Sequence, residues 1–367
     1  MRITILCPHL RIAGGVRAIL TYADRLGRGG HAVTLIVPAP RGRRSWWGRR
    51  PAVGAARAPA GTDPPAQTDP PPRIGPPPWM PELRARITRT DGWRGEALPD
   101  GDAVLATSWQ SADAVAAAPA RCGRKLYLIQ HYESLYHGDP ARVDATYRLP
   151  LRQIVISSWL ADIMRERFAS AAEVIVTPVD PALFHPVAVD PAAESEPGAV
   201  RVLMLHHDYA WKGVADGLEA VAAARARHPE LRLAAFGVKP PPRRAPYDEY
   251  FTDLPQGRLA WLYSRAAVYL CPSWDEGLGM PPMEAMACGA ALCTYDTGGS
   301  RDYAIDGETA LVAPRRDVGA LGRALERLVA DAGLRQRLAA RGRELVTTRF
   351  DWARATRRME ELLAGAP

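Results

Sequence analysis

Two glutamates, Glu276 and Glu284, bracket a run of glycines and prolines in Asp275-Glu-Gly-Leu-Gly-Met-Pro-Pro-Met-Glu-Ala-Met-Ala-Cys-Gly289. Gly277 and Gly279 allow backbone to approach a ligand with no Cβ between them. Pro281 and Pro282 suit a first helical turn, where a missing N–H sacrifices no hydrogen bond. A helix starting there presents free N–H groups and the positive end of its dipole, which together make an anion site. With part of the spacing helical, the two carboxylates stand roughly 10 Å apart. Hydroxyl acceptors at both ends with an anion seat between them fit a nucleotide-diphosphate sugar. An acidic loop ahead of an ordinary amphipathic helix would account for either glutamate singly; it accounts less well for the whole string.

Three smaller clusters point to the same ligand. Lys212 closes His206-His207-Asp208-Tyr209-Ala210-Trp211-Lys212, between an apolar run and Gly213. Lysine stands only at 125, 212 and 239 in a chain otherwise rich in arginine. A compact charge kept on a flexible stem, entering a helix, suits a phosphate, although a lysine is more often a solvated surface residue. Gly14-Gly15 lies between a strand-like run and a helical one, as a plain turn also would. His131 ends the run Leu128-Ile-Gln-His131, at the edge of an open α/β sheet where ligands are expected, although a single histidine is more often structural. Glu133 beside it either orients His131 or faces solvent.

The string resembles the E-x7-E signature of retaining glycosyltransferases of family 4. The resemblance runs from Gly14-Gly15 to the last helix, with a gap between about residues 40 and 95. It implies the GT-B fold: two Rossmann-like domains facing across a deep cleft, with a C-terminal helix crossing back to the first domain. It also implies His131, Lys212 and Glu276 as catalytic residues. Donor binding falls to Gly14, Gly15, His207, Lys212, Glu276, Gly277, Leu278, Gly279, Met280, Pro281 and Glu284. In that scheme Glu276 meets the sugar hydroxyls, Glu284 the ribose hydroxyls, and Leu254–Trp261 the base. The family usually has arginine where this chain has His207, so a phosphate contact there would depend on pH. The implied route is retention by front-face attack, with the leaving phosphate helping to deprotonate the acceptor hydroxyl. No metal or other cofactor is expected, since no DxD stands at the donor loop and Asp100-Gly-Asp102 lies in the other half. The expected partners are a nucleotide-sugar donor and a hydroxyl-bearing saccharide, lipid or natural product. Two alternatives remain open: a GT-B nucleotide-sugar epimerase and a non-catalytic nucleotide-sugar-binding subunit.

The elements that must carry these residues follow from alternation of apolar runs and helical stretches. Strand, turn, helix and strand over Arg2–Val37 open a parallel α/β unit. Strands at Ala103–Ala106, Lys125–Ile129 and Gln153–Ile156 continue it, and the same rhythm restarts at Arg201–Leu205. The Pro- and Ala-rich stretch Pro178 to Gly198 reads as a linker. The expected domains are 1–178 on the acceptor side, 179–345 for the nucleotide sugar, and 346–367 as the returning helix. From Ala39 to about Gly95, proline and arginine are dense. This stretch reads as a long, partly mobile loop with a short helix around Pro81–Thr88.

A chain of 367 residues suffices for two well-buried cores. The net charge of +7 is scattered among acids, which argues against nucleic acid and suits an anionic donor or surface. The five cysteines are odd in number and form no CxxC pair, so they read as buried thiols in a reducing compartment. No stretch reads as a signal peptide or a membrane span, and the expected location is cytoplasmic. Trp46-Trp47, amid Arg41, Arg43, Arg44, Arg49 and Arg50, reads as part of a variable loop or as a weak peripheral membrane contact.

Overall fold

The computed structural model describes residues 1–39, 73–188, 198–243 and 245–365. The cluster around Trp46-Trp47, most of the Pro/Arg-rich stretch and residues 189–197 of the predicted linker lie outside the described residues.

Eight strands form the first sheet: β1 (Arg2–Leu6), β2 (Ala32–Pro38), β3 (Arg73–Ile74), β4 (Arg86–Thr90), β5 (Ala103–Ala106), β6 (Arg124–Ile129), β7 (Arg152–Val155) and β8 (Glu173–Val174). Their order is β3-β4-β2-β1-β5-β6-β7-β8, with every pairing parallel except β3 against β4. Six strands form the second: β9 (Val200–Leu205), β10 (Leu231–Gly237), β11 (Glu249–Thr252), β12 (Val268–Cys271), β13 (Ala291–Tyr295) and β14 (Ala310–Ala313). That sheet is wholly parallel, in the order β11-β10-β9-β12-β13-β14. Helices α1 (Gly14–Arg28), α2 (Trp109–Ala116), α3 (Pro140–Thr146) and α4 (Ser158–Phe168) belong to the first half. Helices α5 (Val214–Arg225), α6 (Gln256–Arg265), α7 (Met280–Ala287), α8 (Val318–Ala330), α9 (Ala332–Thr348) and α10 (Trp352–Ala364) follow.

Parallel sheets carry helices on both faces, so their central strands read as unbroken apolar runs. Strands β5, β12 and β13 are buried at every residue. The same doubly wound order leaves a crevice at the carboxyl edge where the winding reverses. In the first sheet the reversal falls between β1 and β5, and in the second between β9 and β12.

Helix α10 returns to the first domain, as expected of the fold. Asp351 caps its start by accepting from Ala353 N and Arg354 N at 3.1 and 3.0 Å. Trp352 meets Tyr22 of α1 edge-on at 5.1 Å between ring centroids. Further along, Glu360 contacts His31 Nε2 at 2.5 Å and Arg358 pairs with Glu173 of β8 at 3.0 Å.

One expectation fails. No helix forms around Pro81–Thr88; a turn leads instead into β4, which pairs with β2 from Thr34↔Arg86 to Pro38↔Thr90. Thus the loop expected over 39–95 includes two strands of the sheet, β3 and β4. In Arg86-Ile-Thr-Arg-Thr90 the β-branched residues favour a pleated conformation, and Ile87 and Thr88 are buried in it.

Candidate functional site

Both reversals bring predicted residues together. Lys212 follows β9 and Glu276 follows β12, the two strands flanking the crevice of the second sheet. Gly14 and Gly15 follow β1, and His131 follows β6, on the facing edge of the first sheet.

The motif loop is built by its glycines. Gly279 caps α7 with φ of 94°, and a Cβ there would stand 2.5 Å from Tyr303 Oη; both facts require glycine. The Tyr303 hydroxyl donates to the carbonyl of Leu278 at 3.0 Å, and the Leu278 side chain is in the core. At Gly277 a Cβ would come within 1.9 Å of the Gln130 carbonyl. The second domain therefore touches the first directly beside His131. Met280, Pro281 and Pro282 open α7, so the free N–H groups at its start are those of Gly279 and Met280, and Gly14 lies against Met280.

Lys212 Nζ pairs with Glu276 Oε1 at 2.6 Å. Burial pushes the Glu276 carboxyl up, but the Lys212 charge and hydrogen bond, Ser273 and His131 outweigh it and hold the carboxyl below its ordinary value. Glu276 is thus a carboxylate, an acceptor only, beside an ammonium. Both ring nitrogens of His131 are shielded from solvent and meet no hydrogen-bond partner among the described residues. Burial, opposed by Glu276, lowers its pKa, so the imidazole is neutral at pH 7.

Other predicted residues sit differently. Glu284 is 2% exposed and Tyr263 Oη donates to its Oε2 at 3.1 Å. Its Oε1 forms an ion pair with Arg17 of α1, from the opposite domain. Its carboxylate reaches the interdomain boundary, but protein groups occupy both oxygens. His207 turns toward its own loop: Tyr209 N donates to its Nδ1 at 3.1 Å, and its ring packs on Tyr209 at 4.4 Å. Burial, then the Lys212 charge, lowers its pKa. Glu133, half-buried, does not orient His131. It accepts from Trp109 N at 2.9 Å and Tyr127 Oη at 3.4 Å, holding the start of α2. Leu254–Trp261 spans the turn after β11 and the opening of α6.

Reading the sequence missed the contacts that join the domains. Tyr136 donates to Asp275, which also pairs with Arg315. Tyr136 stacks on Trp211 at 4.3 Å and 7°, and Trp211 on Tyr209 at 4.2 Å and 15°. Arg17 had one signal: a cation in a helix's first turn opposes the dipole and needs an acid nearby.

No group of histidine, cysteine, aspartate and glutamate among the described residues could hold a metal ion. None of the described helices is long and apolar enough to cross a membrane. All five cysteines are buried and free, with burial pushing the Cys7 thiol up to about 12.

Comparison with known proteins agrees with this geometry. Two facing parallel-sheet domains with a returning C-terminal helix define the fold as GT-B. Among solved structures, the chain is similar throughout to sucrose-phosphate synthase from Thermosynechococcus elongatus, at a TM-score of 0.73, 20% identity and 98% coverage of each chain. It is also similar to Anabaena HepE in complex with UDP and glucose, at 0.70, 14% identity and 99% of each chain. Residues 191–345 match the family described as glycosyl transferases group 1. Over 275 residues the chain is 32% identical to the O-antigen biosynthesis protein RfbC of Myxococcus xanthus. That match takes in 72% of this chain and spans only 21% of the relative's own length.

Proposed function

We propose that the protein is a retaining glycosyltransferase, moving a sugar from a nucleotide-diphosphate sugar to an acceptor hydroxyl without a metal. The observation that carries this reading is the convergence on one cleft of the Lys212–Glu276 pair, the start of α7 and the neutral, unpartnered His131. Similarity to glycosyl transferases over residues 191–345 supports it, as does the fold shared with a protein that binds UDP and glucose.

In the reaction, the bond from the anomeric carbon to the diphosphate oxygen breaks, leaving positive charge on the sugar and negative charge on the phosphate. The acceptor oxygen bonds the same face of that carbon, and its proton passes to the departing phosphate oxygen. Lys212 and the N–H groups of Gly279 and Met280 are fixed before the charge develops, which is where electrostatic stabilisation is most effective. Glu276 accepts hydrogen bonds from sugar hydroxyls, and His131 contacts the transferred sugar from the first domain. A double displacement would need a carboxylate at the anomeric carbon and an acid partner. Glu276, tied to Lys212, is a poor candidate for that attack. His207, neutral and engaged with Tyr209, leaves Lys212 and α7 to meet the diphosphate. The acceptor is a saccharide, lipid or natural product, and the setting is the cytoplasm, with any membrane contact peripheral.

A thermal-shift screen with UDP, GDP, ADP and dTDP sugars tests the donor assignment. A rise in Tm with one nucleotide class is expected, followed by transfer with an anomer-retained product. Turnover should persist in EDTA; loss in chelator restored by a divalent ion refutes the metal-free route. Donor conversion with no acceptor present identifies an epimerase instead.

A further inference from the structure

Arg17 takes no part in the mechanism above, yet it occupies the group assigned to the ribose. Its guanidinium pairs with Glu284 Oε1 across the cleft and lies over the Phe184 ring at 5.2 Å. With Tyr263 on Oε2 at 3.1 Å, both carboxylate oxygens are engaged by side chains. The pair joins the first turn of α1 to the middle of α7. The helix dipole works against a cation at position 17, so what holds Arg17 is the acid it meets.

The surrounding space is uneven. Between Lys212, Ser273, Glu276, Pro281 and Pro282 the cavity measures about 10 Å³, room for one water at most. Arg17 itself lines a cavity of about 450 Å³, together with Gly14, Asp180, Phe184, Met280 and Trp352 among others. Asp180 is near enough to act on the Arg17 charge. A sugar hydroxyl can reach Glu284 only once the arginine has moved, and the guanidinium has both space and an anion to move toward.

We propose that Arg17 is a gate of the donor site: its pair with Glu284 clasps the two domains shut where the ribose would sit, and donor binding exchanges it for the ribose hydroxyls. Arg17 passes to Asp180 in the larger cavity as the cleft opens to admit the nucleotide. The exchange avoids stranding a buried carboxylate, which is the costly outcome when one partner of such a pair is removed. Tyr263 keeps its hydrogen bond to Oε2 throughout, and hydroxyl donors take the place of the guanidinium charge at Oε1. The ligand's identity rests on the nucleotide-sugar reading; the clasp between the domains does not.

The experiment compares the full chain with Arg17→Met, which keeps a stem of similar bulk without charge, and Arg17→Lys. Small-angle scattering without ligand should show a larger radius of gyration for Arg17→Met. Calorimetry with UDP and with ADP should show at least threefold tighter binding of whichever nucleotide binds. Arg17→Lys should fall between wild type and Arg17→Met in both readouts, and it carries the test with the same signs if Arg17→Met does not fold. An unchanged radius overturns the clasp. Weaker nucleotide binding overturns the exchange and makes Arg17 a donor ligand. A larger radius with no binding of either nucleotide by any of the proteins supports the clasp and overturns the nucleotide-sugar reading.

Discussion

Glu276 and Glu284 bracket the same turn, yet the chain treats them oppositely. Glu276 receives its cation from its own domain, through the loop after β9. Glu284 receives its cation from the other domain, through α1. The first pair exists whether the cleft is open or closed, whereas the second exists only when the domains meet. Eight positions of sequence thus separate a preorganised group from one that reports closure. In a two-domain site, this division lets one end hold its geometry for chemistry while the other responds to ligand entry.

The largest test of that contrast is Lys212→Ala. It removes the cation expected to face the diphosphate and strands the Glu276 carboxylate, and turnover of the preferred nucleotide sugar should fall about 10²–10³-fold. Adding Glu276→Gln removes the stranded charge, so the double variant should lose less than the product of the two single losses. A single-variant loss under tenfold would take Lys212 out of the mechanism. Gly277→Val addresses closure rather than charge. A Cβ at 277 would stand 1.9 Å from the Gln130 carbonyl, so the domains could not meet beside His131. Misplacement on the scale of 1 Å costs about 10²-fold in rate, and kcat/KM should fall toward that with little change in Tm. An unaltered kcat/KM would mean that this contact is not part of the reacting state.

The same division explains what reading the sequence could find. Strands β1, β5, β6, β9 and β12 were legible because burial on both faces demands continuous apolar runs. Lys212, Glu276 and His131 were legible because each sits just past a strand end, where doubly wound sheets bind ligands. Strand β4 was hidden by the proline- and arginine-rich composition around it. Strand β11, Glu-Tyr-Phe-Thr at the sheet's edge, offers no continuous apolar run to mark it, while β14, Ala-Leu-Val-Ala, is as long and as apolar as β5 and nothing in its composition explains why it escaped notice. Arg17, Tyr136 and Arg315 were invisible for another reason. Their partners lie 267, 139 and 40 positions away; the meeting of two separately folded sheets brings together the first two, and the packing of β12 and β14 in one sheet the third. Spacing encodes what one turn or helix arranges, and it does not encode docking.

The last predicted effect, on stability rather than rate, distinguishes His131 from its neighbour Glu133, which burial pushes in opposite directions relative to neutral pH. The Glu133 carboxyl is raised from 4.5 to about 7 by burial, against the hydrogen bonds from Trp109 and Tyr127. Its folded pKa exceeds its unfolded one, so its contribution is fully present below about pH 4.5 and is lost as pH rises through about 7. His131 is depressed by burial, so its contribution is present above its unfolded value near 6.5 and is lost as pH falls. Glu133→Gln keeps an oxygen for the Trp109 N–H and removes only the titration. The variant should therefore gain on the wild type between pH 5 and 8, by about 3 kcal/mol at most. Thermal melts across that range measure the difference, and the acid-side decline set by His131 should be the same in both proteins. Parallel curves would show that the Glu133 carboxylate ionises normally, through a water or a cation close to it.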